Sequence, residues 1–250
     1  PDDLGRNVDL NLNVTTGNAV LQLPKNGETL SDSAGLEFPA AAYRTTITRA
    51  DWNVAAKTIA MKGDVATSEF ISMAPDQLGL RFNAAEALYE MEKMTLTLKG
   101  VPFIQSGDAK IIPNRGLVTV KQDAAIQPLA KAGLVLDTLN GYHTLADGNI
   151  RIISRKQFEG GATYLLARGK GDTTRLKMNN FEFVESTPEV LASTAKGKRS
   201  ARTREPGGLM TTAAASVSEA DKFFLTPRIR YRGDVVMRSP EPKLRFDGAV

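Results

Sequence analysis

The side chains best suited to chemistry are scarce in this sequence, and their spacing argues against a catalytic centre. His143 is the only histidine among 250 residues, and cysteine is absent. One histidine cannot complete a zinc site or a nucleophile–base–acid set without partners that its neighbours do not supply. It follows Tyr142 in a strand pattern, where a structural role is expected. Without cysteine there are no disulfides and no thiolate metal sites. Gly169-Lys170-Gly171-Asp172-Thr173-Thr174 has the composition of a phosphate loop. It lacks the Gly-four-residues-Gly-Lys-Ser/Thr spacing and leads into a strand pattern where a helix is needed. Gly197-Lys198 fails in the same way, with Arg199 next. The acids are dispersed. Glu86, Glu90 and Glu92 fall on one face of an alternating stretch, the pattern of a solvated face. No two of them can be assigned to glycoside hydrolysis from spacing. The expectation is a chain with no catalytic residues, no metal and no cofactor.

One segment has a credible binding role. Lys196, Lys198, Arg199, Arg202 and Arg204 stand in nine residues without an acid. Without these five of its 32 basic residues, the chain carries one more acid than base, against 28 Asp and Glu. The positive field is therefore local, and the rest is near neutral. The run has no interleaved aromatics on which bases could stack, so nucleic acid is not an expected partner. It lies in a stretch, 186–216, that is polar, charged and marked by Pro206-Gly207-Gly208. That composition predicts a long mobile loop, cut first by trypsin between 196 and 210, and makes the five cations candidate partner-binding residues.

The elements around these residues read as strands. A unit occurs twice without a gap: Trp52 aligns with Tyr89, Lys57 with Met94, Ile59 with Leu96, Met61 with Leu98 and Gly63 with Gly100. Each copy is an aromatic strand, a short polar turn and an alternating strand stopping at Lys-Gly. Apolar residues at every second place put one face of a strand on a core. The second half recurs before Gly233, from Ile229, and before Gly248, from Leu244. Trp52, Tyr89, Gly63, Gly100, Gly233 and Gly248 are thus the expected anchors of a hairpin repeat. Trp52 and Tyr89 are expected to pack on one core.

Val8, Leu10, Leu12 and Val14 alternate as a further amphipathic strand, and residues 28–42 read as irregular. Pro102 predicts that the strand at 101–104 lies at an edge or bends there. Pro113-Asn114-Arg115-Gly116 predicts a turn between two short strands, and Asn140-Gly141 and Asp147-Gly148 predict two more turns. Thr187-Pro188 predicts a short helix start. No apolar run reaches the length of a membrane-spanning helix. The fold class is all-β: repeated antiparallel hairpins forming an open β-jellyroll or a β-sandwich or solenoid. Two regions are expected, 1–128 with the two hairpin units and 129–250 interrupted by the loop, or one continuous domain. The chain opens at Pro1 and ends in a strand pattern, so a fragment of a longer polypeptide is expected.

Ala84-Ala85-Glu86-Ala87-Leu88-Tyr89, followed by Met94-Thr95-Leu96-Thr97-Leu98-Lys99-Gly100-Val101, resembles the repeats of the OstA-like family of lipopolysaccharide transport. Trp52-Asn53 to Lys62-Gly63-Asp64-Val65 fits the same pattern. The resemblance covers about 50 residues, or about 80 with the C-terminal strands. It implies an open β-jellyroll of stacked V-shaped turns with an apolar groove that shields lipid chains. The spacing from Gly63 to Gly100 departs from it, being longer than a regular stacked turn. Asn140-Gly141-Tyr142-His143-Thr144-Leu145 and Phe158-Glu159-Gly160-Gly161-Ala162-Thr163-Tyr164 look like large envelope proteins of bacteria with type nine secretion. The two resemblances together imply a structural or accessory subunit on the periplasmic side of the outer membrane. Its partners would be other envelope proteins, with an outer-membrane β-barrel complex and a lipid as candidates. A lipid carrier and a carbohydrate-active β-sandwich enzyme are the alternatives.

Overall fold

Alternating apolar residues and turn-forming tetrads build a fold that is 61% strand, in antiparallel sheets. The computed structural model describes residues 9–13, 17–22, 36–169, 172–185, 208–226 and 228–250. The strands in chain order are β1 (Asp9–Asn13), β2 (Asn18–Gln22), β3 (Leu36–Phe38), β4 (Tyr43–Thr45), β5 (Arg49–Asn53), β6 (Thr58–Lys62), β7 (Glu69–Ser72) and β8 (Arg81–Asn83). Then come β9 (Glu86–Glu90), β10 (Thr95–Lys99), β11 (Ile104–Ser106), β12 (Ala109–Ile112), β13 (Val118–Val120), β14 (Leu129–Leu136) and β15 (His143–Ile152). The last are β16 (Phe158–Gly169), β17 (Asp172–Glu185), β18 (Leu209–Val217), β19 (Phe224–Thr226), β20 (Ile229–Arg230), β21 (Arg232–Arg238) and β22 (Arg245–Ala249). The helical elements among the described residues are five short 3₁₀ turns; β-turns, bends and irregular links make the other connections. None of the sheets closes into a barrel, and the architecture is that of a β-sandwich or jellyroll. No helix among the described residues is long and apolar enough to cross a membrane, which says nothing of a β-barrel.

The chain forms two compact units, 1–104 with 112–127 and 105–111 with 128–250. In the first, a seven-stranded sheet runs β1-β2-β5-β6-β9-β10-β13 and a four-stranded sheet runs β3-β4-β7-β8. The chain alternates between them hairpin by hairpin. Residues directly opposite in antiparallel strands share a face. The register therefore draws two apolar rows across the larger sheet. One is Leu12, Ala19, Trp52, Ile59, Tyr89, Leu96 and Val120. The other is Leu10, Leu21, Ala50, Met61, Ala87, Leu98 and Val118. Opposite them the smaller sheet contributes Leu36, Phe38, Tyr43, Phe70 and Phe82, all buried. The Phe38 and Tyr89 rings meet at 4.9 Å and join the two sheets. Gln77, buried between strands, accepts from the Tyr43 hydroxyl at 3.1 Å and donates to the Ala124 carbonyl at 2.6 Å. This core therefore carries no polar cost at that point.

The second unit holds a nine-stranded sheet, β11-β12-β14-β15-β16-β17-β18-β21-β22, and the small β19-β20 pair. Its long central strands are bent by bulges, as the register breaks in β14 and β15 record. Phe158 anchors the core against Phe181 at 5.1 Å and Phe183 at 5.0 Å.

Several expectations need correction. Residues 36–41, read as irregular, form β3 and a 3₁₀ turn, because Leu36 and Phe38 alternate inward. The strand expected at 101–104 begins only at Ile104, in β11, which is the end strand of its sheet; Pro102 lies in the link before it. The Pro113–Gly116 tetrad does turn the chain between two short strands, but β12 and β13 do not pair as a hairpin and belong to different sheets. Asp147-Gly148 does not end a strand but bulges within β15, with Asp147 at φ 52°. Residues 209–216, assigned to the mobile loop, form β18, with Met210, Ala213 and Ala215 buried. Small alanines there suit close packing against β17 and β21, which composition alone read as loop. The Thr187-Pro188 helix start lies outside the described residues. Leu10 and Leu12, expected on a core, are 56% and 49% exposed, because β1 is the end strand of its sheet.

Candidate functional site

The two aromatic hairpins give the first group of expected site residues. Trp52 lies opposite Ile59, and Tyr89 opposite Leu96. Lys57 and Met94 close the two turns at φ 53° and 47°, and each donates its backbone N–H three residues back at 3.3 Å. The hairpins thus share register and turn conformation. The turns also touch: the Lys57 Nζ reaches Glu92 Oε1 at 2.7 Å. That bond and the opposite charge hold the Lys57 ammonium above its usual range and the Glu92 carboxyl below it. The environments differ. Tyr89 is buried, whereas Trp52 is half-buried, and its sealed indole Nε1 has no hydrogen-bond partner. Gly63 and Gly100 follow β6 and β10 as expected, and the Gly63 N–H bonds the Ala85 carbonyl at 3.0 Å.

Gly233 and Gly248 do not end strands. They face one another inside β21 and β22, and Ile229-Arg230 belongs to a different sheet. A Cβ on Gly233 would strike the Asp247 carbonyl, and one on Gly248 the Arg232 carbonyl. The glycines there permit two backbones to approach closely, a different role from the hairpin glycines. Lys196, Lys198, Arg199, Arg202 and Arg204 lie outside the described residues.

The side chains able to do chemistry gather in the second unit. His143 is fully buried at the start of β15. Its Nε2 faces the Glu241 carbonyl at 2.6 Å and the Arg238 carbonyl at 3.2 Å, and its Nδ1 faces the Tyr164 hydroxyl at 3.4 Å. Two carbonyl acceptors place the proton on Nε2, leaving Nδ1 to accept. Burial lowers the imidazole pKa, against the two carbonyls and the Asp137 and Glu241 charges that raise it. The ring is therefore a neutral clamp that ties β15 to the segment between β21 and β22. Its two nitrogens are both occupied, so it has no lone pair free to act as a base.

Asp108 is the residue that sequence reasoning missed. Gly107-Asp108 has the composition of a surface turn, yet Asp108 is only 4% exposed. Its carboxylate accepts from the Thr211 N–H at 3.2 Å and from the Thr211 and Ser239 hydroxyls at short range. Ser239 and Thr211 are themselves buried and bonded backbone to backbone at 2.9 Å. These partners lie 103 and 131 residues away in the chain, so no local pattern could announce them. The arrangement satisfies a buried carboxylate with three donors, as buried charge requires. Ser239 and His143 do not contact each other through side chains; the imidazole goes to main-chain oxygens. Among the described residues, no three of His, Cys, Asp and Glu converge as for a metal ion.

What remains open is at the ends of the sheets. Every residue of β1 and of β22 is exposed, and each is the last strand in its sheet. On β22, Phe246 packs edge-on against Tyr231 at 5.3 Å, and Tyr231 against Phe223 at 6.0 Å. Arg245 grips Glu241 through Nε at 2.7 Å and Nη2 at 2.5 Å. The chain matches no family model, no curated protein and no solved structure.

Proposed function

We propose that this chain is a non-catalytic structural or accessory subunit of a bacterial outer-membrane or periplasmic assembly. It works by offering sheet edges and strand faces to other envelope proteins. The observation that carries this reading is that β1 and β22 are end strands of their sheets, with an exposed side chain at every position. An end strand presents unpaired N–H and C=O groups, which accept a strand from another chain. His143 and Asp108 support it from the other side, since both are buried and committed to holding the fold. The hairpins around Trp52 and Tyr89 are the stretches whose sequence resembles an OstA-like repeat. That likeness, together with the resemblance of 140–145 and 158–164 to envelope proteins of type nine secretion bacteria, motivates the periplasmic side of the outer membrane as the location and an outer-membrane β-barrel complex, of a secretion translocon, as the partner.

A second reading, a lipid carrier, is favoured by Leu10 and Leu12. They extend both apolar rows of the seven-stranded sheet onto an exposed strand. Purification of the protein from its own cells in mild detergent separates the readings. The subunit reading expects an integral outer-membrane protein in fixed proportion. A lipid bound one to one, with no protein partner, favours the carrier. Saturable hydrolysis of a polysaccharide by the purified chain overturns both.

A further inference from the structure

β22 carries a pattern that is complementary to itself. Among the described residues β22 pairs only with β21, and no described strand lies on its other edge. Consider a second copy of the chain laid antiparallel beside it about a two-fold axis through Phe246. Arg245 then stands opposite Asp247 of the second copy, and Asp247 opposite Arg245. Phe246 meets Phe246, and Leu244 comes opposite Gly248, where no side chain fills the face. Opposite residues share a face, so both charge pairs fall on one side and the apolar contacts on the other.

Each part of this match answers something β22 lacks on its own. Asp247 lies directly opposite Asp234 of β21, a like-charge pairing that weakens a sheet. A guanidinium from the open side offsets it. Arg245 bonds Glu241 through Nε and Nη2, which leaves its Nη1 hydrogens to donate. Phe246 is 37% exposed at the flank of an aromatic row and gains a ring partner at the axis. We propose that β22 is a homodimerisation strand, joining two copies of this chain into one continuous sheet. A partner strand of unrelated sequence has no reason to meet both the charge order and the glycine in one register; a second copy meets them by symmetry. The inference builds on the reading of the chain as a scaffold with open edges. A monomer that still copurifies with an outer-membrane protein removes the dimer and leaves that reading standing.

A five-residue strand is small beside the roughly 1,000 Å² typical of a specific interface. The dimer is therefore weak and concentration-dependent, and sedimentation velocity over a wide concentration range is the measurement. The wild-type chain is expected to shift from monomer to dimer as concentration rises. Asp247→Arg and Arg245→Asp each place like charges across the axis, so each alone is expected to stay monomeric. Mixed one to one, they restore both opposite-charge pairs and are expected to associate. The absence of native cysteine gives a second, independent readout. Facing Cα atoms in antiparallel strands lie about 4.5–5.5 Å apart, within disulfide reach. Phe246→Cys is expected to form a covalent dimer on mild oxidation. Ala249→Cys is not, because the two copies of that position stand about 20 Å apart in this register. A wild type monomeric throughout, a mixture that stays monomeric, or equal cross-linking of the two cysteine variants overturns the proposal.

Discussion

His143 shows how one side chain can look functional and act as structure. Its ordinary pKa is near 6.5, and burial lowers it in the folded chain. Between the lowered value and about 6.5 the unfolded chain binds a proton that the folded chain does not. The stability from the neutral clamp is therefore complete above about pH 6.5 and declines as pH falls below it. Melting temperature is expected to hold above about pH 6.5 and to drop as pH falls from there towards roughly 5.5, where histidine is the side chain that titrates. His143→Gln keeps an N–H donor without the titration and is expected to flatten that slope; an unchanged slope refutes the assignment. Trp52 and Tyr89 differ although they occupy matching registers. Tyr89→Ala empties a buried site and is expected to cost about 3–5 kcal/mol. Trp52 is half-buried, so Trp52→Ala is expected to cost less, about 1.5–3 kcal/mol. Trp52→Phe removes the unpartnered indole N–H and is expected to stay within about 1 kcal/mol of wild type. Denaturant melts check all three, and a larger loss for Trp52→Phe than for Trp52→Ala contradicts the orphan donor.

At the scale of elements, the sequence shows which stretches are strands better than it shows which sheet each joins. The period-2 pattern from Thr58 to Lys62 and from Thr95 to Lys99 sets register locally, because a slip of one residue exposes every apolar side chain. Pro113–Gly116 also reads as a turn, but a turn carries no information on whether its flanks pair. Here they part to different sheets. Asp147-Gly148 has hairpin chemistry, yet β15 is held on both sides by β14 and β16, so the same residues make a bulge. Asp108 was illegible for the same reason as those sheets: its partners are far away in the chain. Glycines can be sorted by what surrounds them. Gly160 sits at φ 130° with the Asn149 carbonyl where a Cβ would go, whereas Gly79 at φ 66° faces open space. Gly160→Ala is expected to lose at least ~2 kcal/mol, as strain adds to a backbone clash. Gly79→Ala is expected to lose about 1 kcal/mol, from the left-handed backbone alone. Equal losses in chemical denaturation would mean that the approach of β15 to β16 at Gly160 is not tight.

In the molecule as a whole, the described sheet interiors are polar-satisfied apart from the Trp52 indole, and β1 and β22 stand at the ends of their sheets. The buried carboxylate and the lone imidazole are both bonded inward, and the polar strand faces carry exposed ion pairs such as Lys62–Glu86 at 3.1 Å. Such pairs contribute little to stability and serve mainly to keep the faces solvated. On the proposed reading, the end strands β1 and β22 are where another chain adds hydrogen bonds without disturbing the core. The most direct test is a structure of the protein isolated together with its native neighbours. The account predicts a partner laid along a sheet edge or an extended strand face, with a total buried area above roughly 1,000 Å². A lone monomer holding a sugar in a closed cleft between two convergent carboxylates would contradict it.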